Sequence, residues 1–262
     1  MERVPAASGW HWIRQGFALF RRQPAEMATL FVLYCCFNLL MYLIPLFGAI
    51  ASFVLIPVFS MAFMSACRDI ELDKRVHPKL LLAVFRNPAL KRLLGLGSCY
   101  LLAVVVAVVV ANLSDNGYLF EAIAKQVENP PTTDAPVPQD MRLMQSVVVL
   151  MCAYLSAILP LWFAAPLIAW QNMSVGKAMF FSFFSVIRAI KAIALFAVCW
   201  LLINLAVNFG IDALLQLLQV GNMEIGAFIQ MPFVLVLVIL MHCAYYVSYK
   251  QIFGPAPLAE ES

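Results

Sequence analysis

Charged positions divide the chain into five long apolar windows, 27–67, 93–114, 143–176, 192–211 and 225–249, none holding an Asp, Glu, Lys or Arg. A bilayer core of ~30 Å needs about 20 mostly apolar helical residues, because hydrocarbon offers no partner to an unpaired backbone group. The first window is about twice that length, and Pro45-Leu46-Phe47-Gly48 punctuates its middle. It reads as a hairpin of two helices, 25–46 and 48–67. The other windows give one crossing each, at 93–113, 146–170, 189–209 and 227–249. The Val-rich run 101–110 has strand propensity in isolation, but its window outlasts any ordinary strand and length decides for helix. The pattern predicts an all-α, polytopic membrane helix bundle, with 1–253 as a single transmembrane domain and 254–262 as a disordered cytoplasmic tail.

Composition removes the competing classes. Of 262 residues, 64% are hydrophobic and 12% charged, against roughly 45–50% and about 25% in soluble domains. So few charges cannot cover a water-soluble surface, which excludes a soluble enzyme, a disordered chain and a nucleic-acid binder. The placement of charge then sets direction. Fifteen of the 17 Lys and Arg fall on the side holding both termini, 68–92 and 171–188 with Lys191, and only Lys125 and Arg142 fall on the other. Basic residues stay on the cytoplasmic side, so both termini are expected in the cytoplasm of a bacterial inner membrane. Ala49-Ile50-Ala51 resembles a signal-peptide cleavage site. The apolar stretch before it starts too late and runs too long for a signal h-region, so an uncleaved hairpin is expected.

A repeat lies within this pattern. Short basic amphipathic stretches ending in Arg21, Arg86 and Arg188 precede the first, third and fifth spans, each with two bulky apolar residues three apart. On a helix that spacing sets both apolar groups on one face and leaves the cation to reach a lipid phosphate. Lys91 and Lys191 each stand eight residues before a Cys-aromatic-Leu-Leu run, and each returning span holds proline: Pro57, Pro160 with Pro166, and Pro232. Three units are expected, 9–67, 78–170 and 175–249, each made of an interfacial elbow helix, a rising helix and a proline-bent falling helix. Between spans, 118–127 reads as a short amphipathic helix, 128–140 as a proline-rich external tether, and 211–220 as a separate helix on the outer interface.

Chemistry is sparse. Intramembrane ionisable groups are costly and usually functional, and His242 is the one titratable candidate within a span. It reads either as a proton relay or ligand contact, or as a neutral imidazole bonded to a backbone carbonyl or an Asn. Asn204 and Asn208, four apart on one face, join it as a possible intramembrane polar site or serve as interhelical glue. Arg21, Arg86 and Arg188 are the candidate lipid-headgroup contacts. All seven cysteines fall in predicted spans and read as packing residues. The acidic run Asp69 to Asp73 lacks the Gly and distal Glu of an EF-hand and reads as a solvated loop. No nucleophile-elbow, zinc-protease or phosphate-loop motif occurs. No catalytic, cofactor or metal residue is expected.

Gly9-Trp10-His11-Trp12-Ile13, Leu19-Phe20-Arg21-Arg22-Gln23-Pro24, Ile44-Pro45-Leu46-Phe47-Gly48, Ala66-Cys67-Arg68 and Leu159-Pro160-Leu161-Trp162 together resemble an uncharacterised family of proteobacterial multi-pass inner-membrane proteins known by BPSS-type locus tags. The resemblance runs nearly the whole chain and implies a bacterial inner membrane. It supplies no reaction, cofactor or ligand. A weaker resemblance is to the membrane domains fused to some glycerophosphodiesterases, whose catalytic barrel this chain lacks. The expected role is a non-enzymatic integral membrane protein organising lipid or partner proteins. The alternative is a transporter or channel for a small, weakly polar solute, and a membrane enzyme would need Asp212, Glu224 or His242 to converge.

Overall fold

A computed structural model describes residues 4–44, 47–128, 141–217 and 223–256. Among them every regular element is helical. Helix α1 (Ser8–Phe20) is followed by α2 (Pro24–Tyr42) and α3 (Phe47–Glu71). A short helix α4 (Leu80–Ala83) runs into a 3-10 turn, Val84–Arg86, before α5 (Leu90–Asp115) and α6 (Tyr118–Glu128). Then come α7 (Met141–Ile158), a 3-10 turn (Leu159–Leu161), α8 (Ala164–Trp170), α9 (Val175–Arg188), α10 (Ile190–Leu217) and α11 (Met223–Phe253). Six segments are long and apolar enough to cross a membrane: α2, α3, α5, the α7–α8 segment, α10 and α11.

The expected spans are recovered with shifted ends and two corrections. Residues 211–217 continue α10 without a break, so no separate helix begins at 211; residues 218–220 lie outside the described set. Leu214, Leu215 and Leu217 extend the helix rather than turn it, because nothing before them breaks the backbone hydrogen-bond ladder. The run from Asp69 to Asp73 is a solvated turn only at Leu72 and Asp73. Asp69, Ile70 and Glu71 form the last turn of α3, with Ile70 fully buried. Pro57 and Pro232 sit inside continuous helices, whereas the Leu159–Phe163 stretch around Pro160 does interrupt its helix. The turn residues Pro45 and Leu46, the tether 129–140 and the tail from 257 lie outside the described residues; Gly254 to Ala256 follow α11 without regular structure.

At the far end of α5 the sequence writes its own stop. Asn116 takes φ 54° and Gly117 φ 85°, the left-handed region that favours Asn and Gly. The Asp115 carboxylate accepts from the Gly117 and Leu119 amides at 3.0 Å each, and starts α6.

Burial is uneven along the helices. The packed core lies toward the end carrying the described chain termini, here the near end. It is built from Val58 to Ile70 of α3, Leu161 to Ile168 around α8, and Ile239 to Tyr249 of α11. Toward the far end, Leu39 and Leu40 of α2, Leu113 of α5, Phe209 of α10 and Phe228 of α11 are exposed. Such surface suits acyl chains, which are as apolar as the side chains they meet.

The elbow segments dock on other units. Trp12 of α1 packs on Ala192 and Phe196 of α10 and Ala244 of α11. Phe85, after α4, packs on Phe37 of α2 and Phe59 of α3. The Ser182 hydroxyl of α9 reaches the chain at Phe163, between α7 and α8. The elbow after each helix pair thus sits on that pair, and the first elbow sits on the last pair.

Candidate functional site

The interruption between α7 and α8 places polar backbone groups inside the bundle. Pro160 lacks an amide proton, and a broken helix exposes donors and acceptors that hydrocarbon cannot satisfy. Three side chains from three other helices do so. The Phe163 amide donates to Ser182 Oγ of α9 at 2.8 Å. The Tyr100 hydroxyl of α5 donates to the Leu161 carbonyl at 3.1 Å. The Tyr245 hydroxyl of α11 donates to the Trp162 carbonyl, and its ring stacks on Phe163 with centroids 5.6 Å apart. Tyr245→Phe keeps the ring and strands the Trp162 carbonyl. It should cost about 1–3 kcal/mol, read as a drop of about 2–4 °C in Tm per kcal/mol at this chain length.

His242 lies one turn before Tyr245 and Tyr246. Its Nδ1 is 2.9 Å from the Val238 carbonyl, which can only accept, so Nδ1 carries a proton. Its ring lies 4.6 Å from that of Phe63. His242 borders a cavity of about 180 Å³ shared with Ser60, Tyr100, Trp12 and Tyr245. The ring is held by its own helix.

The two asparagines are elsewhere. Asn204 Nδ2 donates to the Trp200 carbonyl at 2.8 Å and Asn208 Nδ2 to the Asn204 carbonyl at 2.8 Å. Gln230 of α11 donates to Asn208 Oδ1. Gln230 is twelve residues before His242 on one helix, a rise of about 18 Å. The structure therefore brings Asn208 to Gln230, not to His242, and each amide is bonded within or between helices. Asp212 is exposed one turn beyond Asn208, still further from His242, and the side chain of Glu224 lies outside the described residues.

The three arginines occupy corresponding ends. Arg21 follows α1, with its guanidinium 5.8 Å over the Phe17 ring. Arg86 ends the 3-10 turn after α4 and Arg188 ends α9, and both are exposed.

A polar cluster at the near end escaped the sequence reading. Glu71 of α3 accepts from Lys250 and, at 2.7 Å, from the Tyr246 hydroxyl. Arg22 pairs with Asp73 at 3.4 Å. Gln23 holds the following loop through the Lys74 carbonyl at 2.8 Å and the Val76 amide at 2.9 Å. Arg92 donates to the Asn172 carbonyl at 2.9 Å, at the turn after α8. Lys250 and Glu71 are 179 residues apart, and no local spacing signals such a pairing.

These features define a class: a polytopic helical membrane protein with six spanning segments and a close-packed, polar-stitched near end. The chain is 32% identical over 257 residues to a Burkholderia thailandensis protein named "Probable inner membrane protein", covering 96% of this chain and 93% of that one. The chain belongs to the family of that protein, a proteobacterial family of multi-pass inner-membrane proteins. No family model matches it, and no solved structure matches it.

Proposed function

We propose that the protein is a non-enzymatic resident of the bacterial inner membrane, both termini in the cytoplasm, that organises phospholipid around its near end. The observation that carries this reading is the repeated exposed arginine, Arg21, Arg86 and Arg188, closing three helical segments at that end. The charge distribution agrees with it, since the near end holds nearly all of the basic residues and the spans carry none at mid-depth. A guanidinium offers forked donors that match phosphate, and a basic residue at an anionic membrane surface contributes about 1 kcal/mol. Replacing all three by Gln should lower retention of phosphatidylglycerol in native mass spectrometry by about a hundredfold, the sum of three such contributions. Unchanged retention would refute the reading. A fusion reporter at either terminus that is active only outside the cytoplasm would refute the orientation.

A second reading, transport of a small weakly polar solute, draws on the interrupted α7–α8 segment, because discontinuous helices build many transporter sites. Here Ser182, Tyr100 and Tyr245 already occupy the backbone groups that such a site would offer its ligand. Solute flux in proteoliposomes that Tyr245→Phe alters would favour transport over lipid organisation.

A further inference from the structure

The three helix pairs are closed in different ways. Between α2 and α3, Tyr34 and Phe37 interleave with Phe59 and Phe63 at ring separations of 5.0–5.7 Å. Between α5 and α7, the buried alanines Ala103, Ala107 and Ala111 bring the backbones together. Between α10 and α11 neither device operates among the described residues. Helix α1 separates their near ends, and the Asn208–Gln230 bond joins them further out. The interval is an apolar groove of about 630 Å³, floored by Phe17 of α1 and walled by Ile203 of α10 and by Val236 and Leu240 of α11. Trp10 and Arg14 stand at its near end. Trp10 and Phe17 are 50% and 47% exposed, so the groove opens sideways, toward lipid.

We infer that this groove holds one acyl chain of a phospholipid whose phosphate is bound by Arg14. The site goes beyond the proposed function, since none of Arg21, Arg86 and Arg188 lines it, and shares with it only the premise that the ligand is phospholipid. An apolar groove facing hydrocarbon forfeits dispersion contacts if left empty. A cavity of ~150 Å³ accepts benzene, so this one has room for a chain several times longer. A helix of a second copy is too large: over the rise from Trp200 to Val207, about 10 Å, a helix with its side chains fills roughly 800 Å³ or more. The charge at the mouth selects the head. Arg14 is exposed and forms no ion pair among the described residues, and its forked donors suit a phosphodiester. Trp10 beside it has the amphipathic ring that settles at headgroup depth.

The test uses the full chain in vesicles of phosphatidylethanolamine and phosphatidylglycerol, doped with phosphatidylglycerol bearing a diazirine in one acyl chain. After photolysis, adducts are mapped by peptide mass spectrometry. The expected adducts concentrate on 200–207 and 232–240, above the level on the exposed far half of α2. Val236→Trp should abolish groove adducts and leave those on α2 unchanged; Ile203→Trp, on the facing wall, makes the same measurement if Val236→Trp does not fold. Arg14→Gln should reduce groove labelling about tenfold, the size of one charge-assisted hydrogen bond, and Arg14→Lys should restore part of it. Even labelling over all lipid-facing helices overturns the inference. So does labelling indifferent to Arg14, or groove adducts replaced by cross-links between two copies. The three elbow arginines stay native throughout, so this result and their own assay fail separately.

Discussion

Trp12→Ala should release α1 from the cleft between α10 and α11, with a loss of about 3 kcal/mol, the low end for a buried Trp. Trp12 is 1% exposed and packs on Ala192, Phe196 and Ala244. Its indole N–H donates to Gln251, whose amide donates in turn to Ser8 Oγ at 3.0 Å. The two glycines beside it set the depth of α1. A Cβ on Gly16 would lie 2.7 Å from the Ala244 backbone nitrogen, and one on Gly9 would collide with the Ala192 carbonyl. The low end of the range applies because lipid can enter the space left behind, so the loss is of packing more than of transfer from water. Trp12→Phe keeps most of the packing and loses the hydrogen bond, at about 1 kcal/mol. Thermal unfolding should order wild type above Phe above Ala, and proteolysis near 21–24 should accelerate in the Ala variant alone. Equal melting of all three would show that α1 is not held there.

Gly97→Leu should have the larger effect still, leaving little folded protein. A Cβ at Gly97 would overlap the Val54 carbonyl and crowd the Val54 backbone beyond it. The obstacle is main chain rather than a side chain that could swing aside. Helices α3 and α5 must then separate, and the neighbours Leu93 and Leu96, fully buried now, lose their places. Overpacking a close core costs about 1–3 kcal/mol for modest insertions, and a whole Leu against backbone exceeds that. Gly210→Ala is the control: nothing lies within 4 Å of its Cβ, and Gly to Ala within a helix should be neutral or stabilising by up to about 1 kcal/mol. Size-exclusion yield and Tm of the two variants separate a specific contact from a general intolerance of change.

The spans were legible because charge is excluded from hydrocarbon, and a charge-free window is a local property of the chain. Helix ends were less so. The stop at Asp115-Asn116-Gly117 is local, a side-chain cap followed by two left-handed residues, and the short helix after it was expected. The continuation through 211–217 was not, since leucines of that spacing suit a spanning helix as well as a surface one. The prolines of the returning helices, Pro57, Pro160 with Pro166, and Pro232, looked alike in sequence. Pro57 and Pro232 are absorbed by continuous helices, whereas the break near Pro160 is held by Tyr100, Ser182 and Tyr245, the partners lying 61, 19 and 83 residues from the groups they satisfy. Which proline becomes a break is decided by those distant hydroxyls. The same holds for the polar residues. His242 and Asn208 share an apolar setting in the sequence, but α11 spaces their partners along its length, and the cluster of Glu71, Tyr246 and Lys250 exists only after α3 and α11 meet.

The docking of α1 has a consequence for the order of assembly. Among the described helices, the one made first rests on the two made last. At about 5–20 residues per second, roughly ten seconds or more pass between synthesis of Trp12 and synthesis of Ala192, and longer before Ala244 follows. Through that interval the face later covered by α10 and α11 lacks those partners, while Leu19 on another face of α1 can already join the cluster built on α3. The capture of α1 joins helices far apart in sequence, and that contact cannot form until α11 has been made.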